Sequence, residues 1–158
     1  MKNIDLKLAL IQSLGIIFLI EGIERLYMFS QSEKYECVLA YLKDQNSDCW
    51  KKFESPYETM GDFMVSGFVF GFYGLIIGII LIALINWRNK TSIYNSLLTF
   101  ILIMIPFACG VFRKGFINDL FNSFGGLFSR DFTVENFIGG STFTIIAIII
   151  LWKSRKNS

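Results

Sequence analysis

The chain has 158 residues, of which 53% are hydrophobic, and it carries a formal net charge of +2 with no histidine. Its mean hydropathy of +0.51 is higher than that of ordinary soluble proteins. The lack of histidine disfavours haem, zinc and Ser-His-Asp chemistry, because histidine is the usual ligand or general base in such sites. The few basic residues are scattered along the chain, which argues against nucleic acid binding. We therefore expect a membrane protein without a metal or cofactor.

Four apolar segments occupy most of the chain. They are Leu8–Phe29, Phe63–Trp87, Tyr94–Val111 and Phe137–Trp152. A bilayer core about 30 Å thick requires roughly 20 residues of apolar helix to cross it. The sequence therefore predicts an all-α membrane protein, with residues 1–158 forming a single bundle of four transmembrane helices.

The distribution of charge predicts the orientation of this bundle. Short basic segments lie close to the helix ends at the N-terminus, at Arg88–Lys90 and in the C-terminal tail. The loop Ser30–Asp62, in contrast, contains seven acidic residues and four lysines. Because short basic loops stay in the cytoplasm, both termini are expected there, most simply in a bacterial inner membrane. Arg113 and Lys114 do not follow this trend, since they fall on the predicted outer side.

The long outer loop 30–62 contains two of the three cysteines, Cys37 and Cys49. On the predicted outer side they meet an oxidising environment, in which disulfides persist. Glu33–Lys43 is expected to form a short helix, and a bridge from Cys37 to Cys49 would close the turn that follows it. A redox-active pair is the weaker interpretation, because the spacing is not Cys-x-x-Cys. Cys109 is expected to be a small buried residue of the third helix.

Charged residues interrupt the first apolar segment. Glu21, Glu24 and Arg25 lie beyond its middle, and Glu21 and Arg25 share a helical face because they are four residues apart. An unpaired charge at this depth is costly, so Glu21 is expected to be neutral, paired or hydrated. One interpretation is a site for a proton, a cation or a polar ligand. The other is a structural ion pair or an outward-reaching polar cluster at the helix end.

Small residues form a stripe along the second apolar segment. The glycines are four, three and four residues apart, which places them on one helix face: Gly67, Gly71, Gly74 and Gly78. Such small-x-x-x-small pairs let two helices approach closely within lipid. The pattern predicts a tight helix contact, either within the chain or with a second subunit.

The fourth apolar segment begins with a short polar stretch. Gly139 and Gly140 are followed by Ser141, Thr142 and Thr144. These hydroxyls suit a hydrated vestibule, whereas a flexible entry into a short helix is the simpler interpretation. Upstream, the segment 112–130 places large apolar residues at helical spacing with polar residues opposite. This pattern predicts an amphipathic helix lying in the outer interface, with a re-entrant hairpin as the alternative.

One sequence resemblance accompanies these patterns. Residues 15–26, Gly-Ile-Ile-Phe-Leu-Ile-Glu-Gly-Ile-Glu-Arg-Leu, resemble the first helix of DoxX-like small membrane proteins. The glycine-rich second helix, the basic turn and the third helix are also similar, whereas the cysteine-bearing loop and the amphipathic segment depart from that family. The resemblance implies no activity for this chain. Claudin-like proteins share the arrangement of four helices and two cysteines, but their Trp-Gly-Leu-Trp signature is absent here.

The function expected from these features is non-enzymatic. The chain has no evident catalytic set, and the glycine stripe suits an accessory, sensor or protective subunit that contacts a membrane protein partner or a second copy within the lipid bilayer. An oligomeric channel or a transporter of ions or small solutes using Glu21 and Arg25 is the first alternative. A membrane enzyme of thiol-redox or lipid-modifying type is the second. DsbB-like oxidases are disfavoured, because a second cysteine pair is missing.

The predicted orientation is open to a direct test. A reporter that works only in the cytoplasm is expected to be active when fused after Ser158 or inserted at Asn89, because both positions adjoin short basic segments. Reporter activity in intact cells measures this. Activity of a periplasmic reporter at Ser158 would contradict the assignment.

Overall fold

The computed structural model describes residues 4–44, 53, 56–109 and 116–155, and it contains six helices in these ranges. They are α1 (Leu6–Ser30), α2 (Ser32–Lys43), α3 (Pro56–Arg88), α4 (Ile93–Ala108), α5 (Phe116–Gly126) and α6 (Phe132–Ser154). No strand occurs among the described residues. The predicted all-helical architecture is therefore confirmed for this part of the chain.

Helix α1 is the centre of the structure, and α3, α4 and α6 all pack against it. α3 and α6 run antiparallel to α1, because Gln12 near its start bonds Asn86 near the end of α3, and Gly15 lies against Leu151 near the end of α6. α4 runs parallel to α1, since Asn95 in its first turn bonds Asp5. We call the end of the bundle where α1 begins and α6 ends the terminal end, and the opposite end the cap end.

Three helical segments are long and apolar enough to cross a membrane: Leu6–Ser30, Val65–Arg88 and Phe132–Ser154. This length and composition indicate a membrane protein with a helical bundle. α4 is apolar but has only 16 residues, which corresponds to about 24 Å at 1.5 Å per residue and is short for a bilayer core. The fourth span therefore stays a prediction.

Several helix boundaries differ from those predicted by hydropathy. α6 begins at Phe132, five residues before the predicted Phe137, because the Asp131 side chain accepts a hydrogen bond from the backbone N–H of Val134 and caps the helix. α3 likewise extends upstream to Pro56, and α4 ends at Ala108 rather than Val111. Hydropathy marks the part of a helix that lies in lipid, whereas polar residues also form helical turns outside it.

Helix α2 covers the segment predicted to form a short helix and docks on the first turn of α6. The rings of Tyr35 and Phe132 stack with centroids 3.5 Å apart, and the Thr133 hydroxyl donates to the Glu36 carboxylate at 3.0 Å. Burial, and to a smaller degree the negative charge of Glu135, raises the pKa of the Tyr35 phenol. The Tyr35 phenol therefore stays protonated at pH values above its ordinary pKa. The contact between α2 and α6 is expected to weaken only in strongly alkaline solution.

The glycine stripe of α3 faces α1 within the same chain. A Cβ atom added at Gly74 would lie 2.9 Å from the Cα atom of Ile20, and one added at Gly78 would lie 2.8 Å from the Ile16 side chain. The backbones of α1 and α3 therefore cross at Gly74. Ile16 and Ile20 belong to the apolar core, whose buried residues are Ile16, Ile20, Leu75, Ile82, Ile103 and Leu151.

Helix α6 approaches the opposite side of α1 just as closely. A Cβ atom at Gly22 would lie 2.8 Å from the backbone nitrogen of Thr144, and one at Gly140 would lie 2.9 Å from the backbone nitrogen of Leu26. Glycines on both helices thus allow backbone contact at this crossing. The polar start of the predicted fourth segment therefore lies within α6, where Gly140 and Thr144 pack against α1.

The α1–α3 crossing yields a matched pair of substitutions. Gly74→Ala is expected to lower the free energy of unfolding by about 1–3 kcal/mol, because its new methyl group meets backbone that does not yield easily. Gly67→Ala is the control, since the nearest atom to its added Cβ lies 3.6 Å away, an ordinary contact. Thermal unfolding in detergent measures both. Equal stability of the two variants would contradict the close approach at Gly74.

Candidate functional site

The most unusual group within the apolar bundle is an ion pair on α1. The Arg25 Nη1 atom donates to the Glu21 Oε2 atom, and both side chains are about nine-tenths buried. The residues are one helical turn apart, so the helix itself holds the two charges in register. A paired charge is far less unfavourable in an apolar surrounding than a lone one.

Aromatic rings surround the guanidinium group of Arg25. Its Cζ atom lies 5.2 Å from the ring centroid of Phe143 on α6 and 5.9 Å from that of Phe121 on α5. The rings of Phe121 and Phe143 meet edge to face at 5.0 Å, and Phe18 of α1 lies 5.6 Å from Phe121. Cation–π attraction therefore adds to the ion pair in holding Arg25.

Glycines on the neighbouring helices make room for the charged side chains of α1. A Cβ atom at Gly139 would lie 3.1 Å from Arg25 Cδ, and one at Gly71 would lie 3.1 Å from Glu24 Oε2. Glu24 thus lies toward α3, whereas Arg25 lies toward α6. The structure divides the predicted cluster between two faces of α1, with Glu21 and Arg25 together and Glu24 on its own face.

The hydroxyls at the start of the predicted fourth segment have different positions. Ser141 and Thr142 are half-buried. Thr144 lies against Gly22, and its hydroxyl donates to the Gly140 carbonyl oxygen at 2.8 Å. Thr144 therefore belongs to the α1–α6 crossing, and its hydroxyl proton is donated within α6.

A second polar cluster, nearer the terminal end, was missed by the sequence analysis. The amides of Gln12 and Asn86 bond each other reciprocally, at 2.7 Å and 3.2 Å, and Asn86 also donates to the Ser96 hydroxyl at 2.9 Å. The Thr99 hydroxyl lies 3.4 Å from the Gln12 amide oxygen while it donates to the Asn95 carbonyl at 2.9 Å. The available signal was a glutamine and an asparagine in apolar segments, since such residues join helices in lipid.

The same cluster continues to the first turn of α1. The Asp5 backbone N–H donates to the Asn95 side-chain oxygen at 2.8 Å, and the Asn95 amide donates back to the Asp5 carbonyl at 3.2 Å. Asn95 is fully buried, like Gln12. The bonds between Asp5 and Asn95 hold α1 and α4 in register, and those between Gln12 and Asn86 do the same for α1 and α3.

The two cysteines in the described part of the chain lie on α2 and at the end of α4. Cys37 is buried on α2, whereas Cys49 lies outside the described residues, so the bridge between them stays a prediction. Cys109 is a free, exposed thiol at the C-cap of α4. The expectation that it is buried was wrong, because the buried face of α4 runs through Asn95, Thr99 and Ile103, and Cys109, six residues after Ile103, does not lie on that face.

The chemical capacity of the described residues is limited. No group of three or more His, Cys, Asp or Glu side chains able to hold a metal ion occurs among them. Asn89 Nδ2, at the turn between α3 and α4, is the one buried side-chain nitrogen or oxygen in this part of the chain that lacks a hydrogen-bond partner. The polar interior therefore bonds mainly to itself.

Comparisons with known proteins give no relative. No protein-family model, no curated protein and no solved structure matches the chain.

The Glu21–Arg25 pair generates a test of its structural role. Glu21→Gln alone is expected to lower the free energy of unfolding by about 3–5 kcal/mol, because it leaves a buried guanidinium without its counter-charge. The double substitution Glu21→Gln with Arg25→Gln is expected to regain much of this loss. Thermal unfolding of the purified variants measures both effects. Full stability of the Glu21→Gln variant would show that the pair does not stabilise the bundle.

Proposed function

We propose that the protein is a non-enzymatic integral membrane protein that works through helix contacts with a membrane protein partner, as an accessory, sensor or protective subunit. The observation that carries this proposal is the self-contained polar interior. In the described part of the chain, buried polar side chains bond each other or nearby backbone, with Asn89 Nδ2 as the exception. A binding pocket for a polar solute instead keeps several polar groups directed at its ligand.

The surface left for a partner is the outer face of the bundle. The glycines of α3 are used against α1, so a partner would meet the opposite, bulky side of α3 or the exposed faces of α4 and α6. On α3 this side forms a row with four-residue spacing: Phe68, Phe72, Ile76, Ile80 and Leu84. Such a row suits either lipid or the apolar face of another transmembrane helix.

The proposed location is the bacterial inner membrane, with both termini in the cytoplasm. Support comes from the basic segments at the terminal end and from the antiparallel packing of α1 and α6, which brings the beginning of one and the end of the other to the same side. The cap end then faces the oxidising side, where a bridge from Cys37 to Cys49 would hold α2 on the bundle.

Transport of an ion or a small solute is the second candidate. It is favoured by one observation, the placement of Glu21 and Arg25 inside an apolar helix, because ionisable residues within a membrane span often mark a transport pathway. In that case the pair would have to open during the cycle. Closed packing around Arg25 would then represent a resting state.

Photo-crosslinking in native membranes tests the proposed partner contact. A photoreactive amino acid is placed singly at three exposed positions, Ile76 on α3, Ile101 on α4 and Ile148 on α6. At least one of them is expected to give a discrete adduct with another protein chain, seen as a mass shift on a denaturing gel. Ile103 is the matched control, since it lies on α4 but is fully buried.

The outcomes of this experiment are distinct. An adduct at Ile103 as strong as that at Ile101 would indicate unspecific labelling. No protein adduct at any exposed position would contradict the proposal. Solute flux into proteoliposomes that disappears in the Glu21→Gln variant, while the variant remains folded, would establish the second candidate in its place.

A further inference from the structure

One face of α1 changes from exposed to covered halfway along the helix. Leu10, Leu14, Glu21 and Arg25 lie on this face, since they are four, seven and four residues apart. Leu10 and Leu14, toward the terminal end, are 52% and 47% exposed. Glu21 and Arg25, toward the cap end, are 7% and 8% exposed. Another part of the protein therefore covers the half of this face that carries Glu21 and Arg25, whereas the half with Leu10 and Leu14 stays exposed.

The cover is α5, together with α6. Phe121 of α5 contacts Phe18 of α1 and lies over the Arg25 guanidinium, and its own side chain is only 8% exposed. Phe143 of α6 completes the enclosure from the other side. Without α5, the Arg25 guanidinium would lose the Phe121 ring and would be covered by α6 alone.

The position of α5 along the bundle follows from its partners. Phe18 is the central residue of α1, and Phe143 is the central residue of α6. Phe121 contacts both of them and also Arg25, so the middle of α5 lies beside residues 18–25 of α1, from the centre of that helix toward the cap end. At the other end of α5, a Cβ atom at Gly125 would lie 2.6 Å from the carbonyl oxygen of Glu135, in the first turn of α6. α5 thus descends from the cap end beside α6.

We propose that α5 is a re-entrant half-helix, which dips into the bilayer from the cap side and shields the Glu21–Arg25 pair from lipid. This placement replaces the flat interfacial one expected from its amphipathic pattern, because a helix lying in the interface cannot reach Phe18 at the centre of α1. A re-entrant segment is tolerated in hydrocarbon where it is helical and packed on protein. The gain is the removal of an ion pair from contact with lipid tails.

The depth of α5 is the first test. A nitroxide-bearing unnatural amino acid is placed singly at Leu120, Ser123 and Leu127, which are exposed positions along α5 and just after it. Collision with oxygen, compared with collision with a water-soluble nickel chelate, reports depth in proteoliposomes. Two exposed residues of α6 calibrate the scale, Phe137 near the cap end and Ile145 near the middle.

The expected result is a gradient. The depth measured at Leu120 should be close to that at Ile145. The depth at Leu127 should be no greater than that at Phe137, and Ser123 should lie at an intermediate depth. Equal, shallow readings at all three positions would overturn the proposal and restore an interfacial helix. This measurement requires no partner protein, so its result is independent of the proposed function.

The shielding role is tested by asking whether the effect of Phe121→Ala depends on the presence of the Glu21–Arg25 pair. Phe121→Ala is made in the native chain and in a Glu21→Leu, Arg25→Leu background, with the exposed neighbour substitution Leu120→Ala as the control in both. If Phe121 shields the pair, its loss lowers the unfolding temperature more in the native chain than in the background without charges. Leu120→Ala should cause a small shift that is the same in both. An equal decrease in unfolding temperature for Phe121→Ala in the two backgrounds would overturn the shielding role. If the background with both leucine substitutions does not fold, the depth measurement is the test of the proposal.

Discussion

An ion pair inside an apolar helix is the constraint on which the arrangement of this bundle depends. Glu21 and Arg25 lie on α1, against which α3, α4 and α6 all pack, and their side chains are about nine-tenths buried. Charges in hydrocarbon are tolerated when they are paired and enclosed by protein. The central position of α1 meets this requirement, because α3, α4 and α6 pack against it and the rings of Phe143 on α6 and Phe121 on α5 lie over Arg25.

Small residues allow this enclosure. At Gly74 of α3 and at Gly22 and Gly140 of the α1–α6 crossing, the backbones approach too closely for any side chain. Gly71 and Gly139 act differently, because the space they leave is filled by the Glu24 carboxylate and the Arg25 stem. Glycine thus serves two purposes here, tight helix contact and accommodation of a large polar neighbour. The amide cluster around Gln12 then aligns the helices at the terminal end.

Much of this could be read from the sequence, since the physics involved is local. Hydropathy located the long helices, four-residue spacing placed Glu21 beside Arg25, and the glycine spacing predicted a close contact on α3. The remaining features depend on which helices become neighbours. A glycine stripe does not name its partner, and the bond between Gln12 and Asn86 joins residues 74 positions apart. An amphipathic pattern such as that of α5 is the same whether its apolar face meets lipid or protein.

The order of the elements along the chain has a consequence for biosynthesis. α1 carries the ion pair and leaves the ribosome before the helices that enclose it, since Phe121 and Phe143 belong to α5 and α6, which follow it in the chain. During synthesis the membrane therefore receives a helix whose charges are still uncovered. Until α5 and α6 arrive, α1 depends on the internal pairing of Glu21 with Arg25, on nearby headgroups or on the insertion machinery. Enclosure of the pair therefore waits for α5 and α6, so that a chain interrupted before α5 exposes within the bilayer a polar face that cellular quality control can recognise.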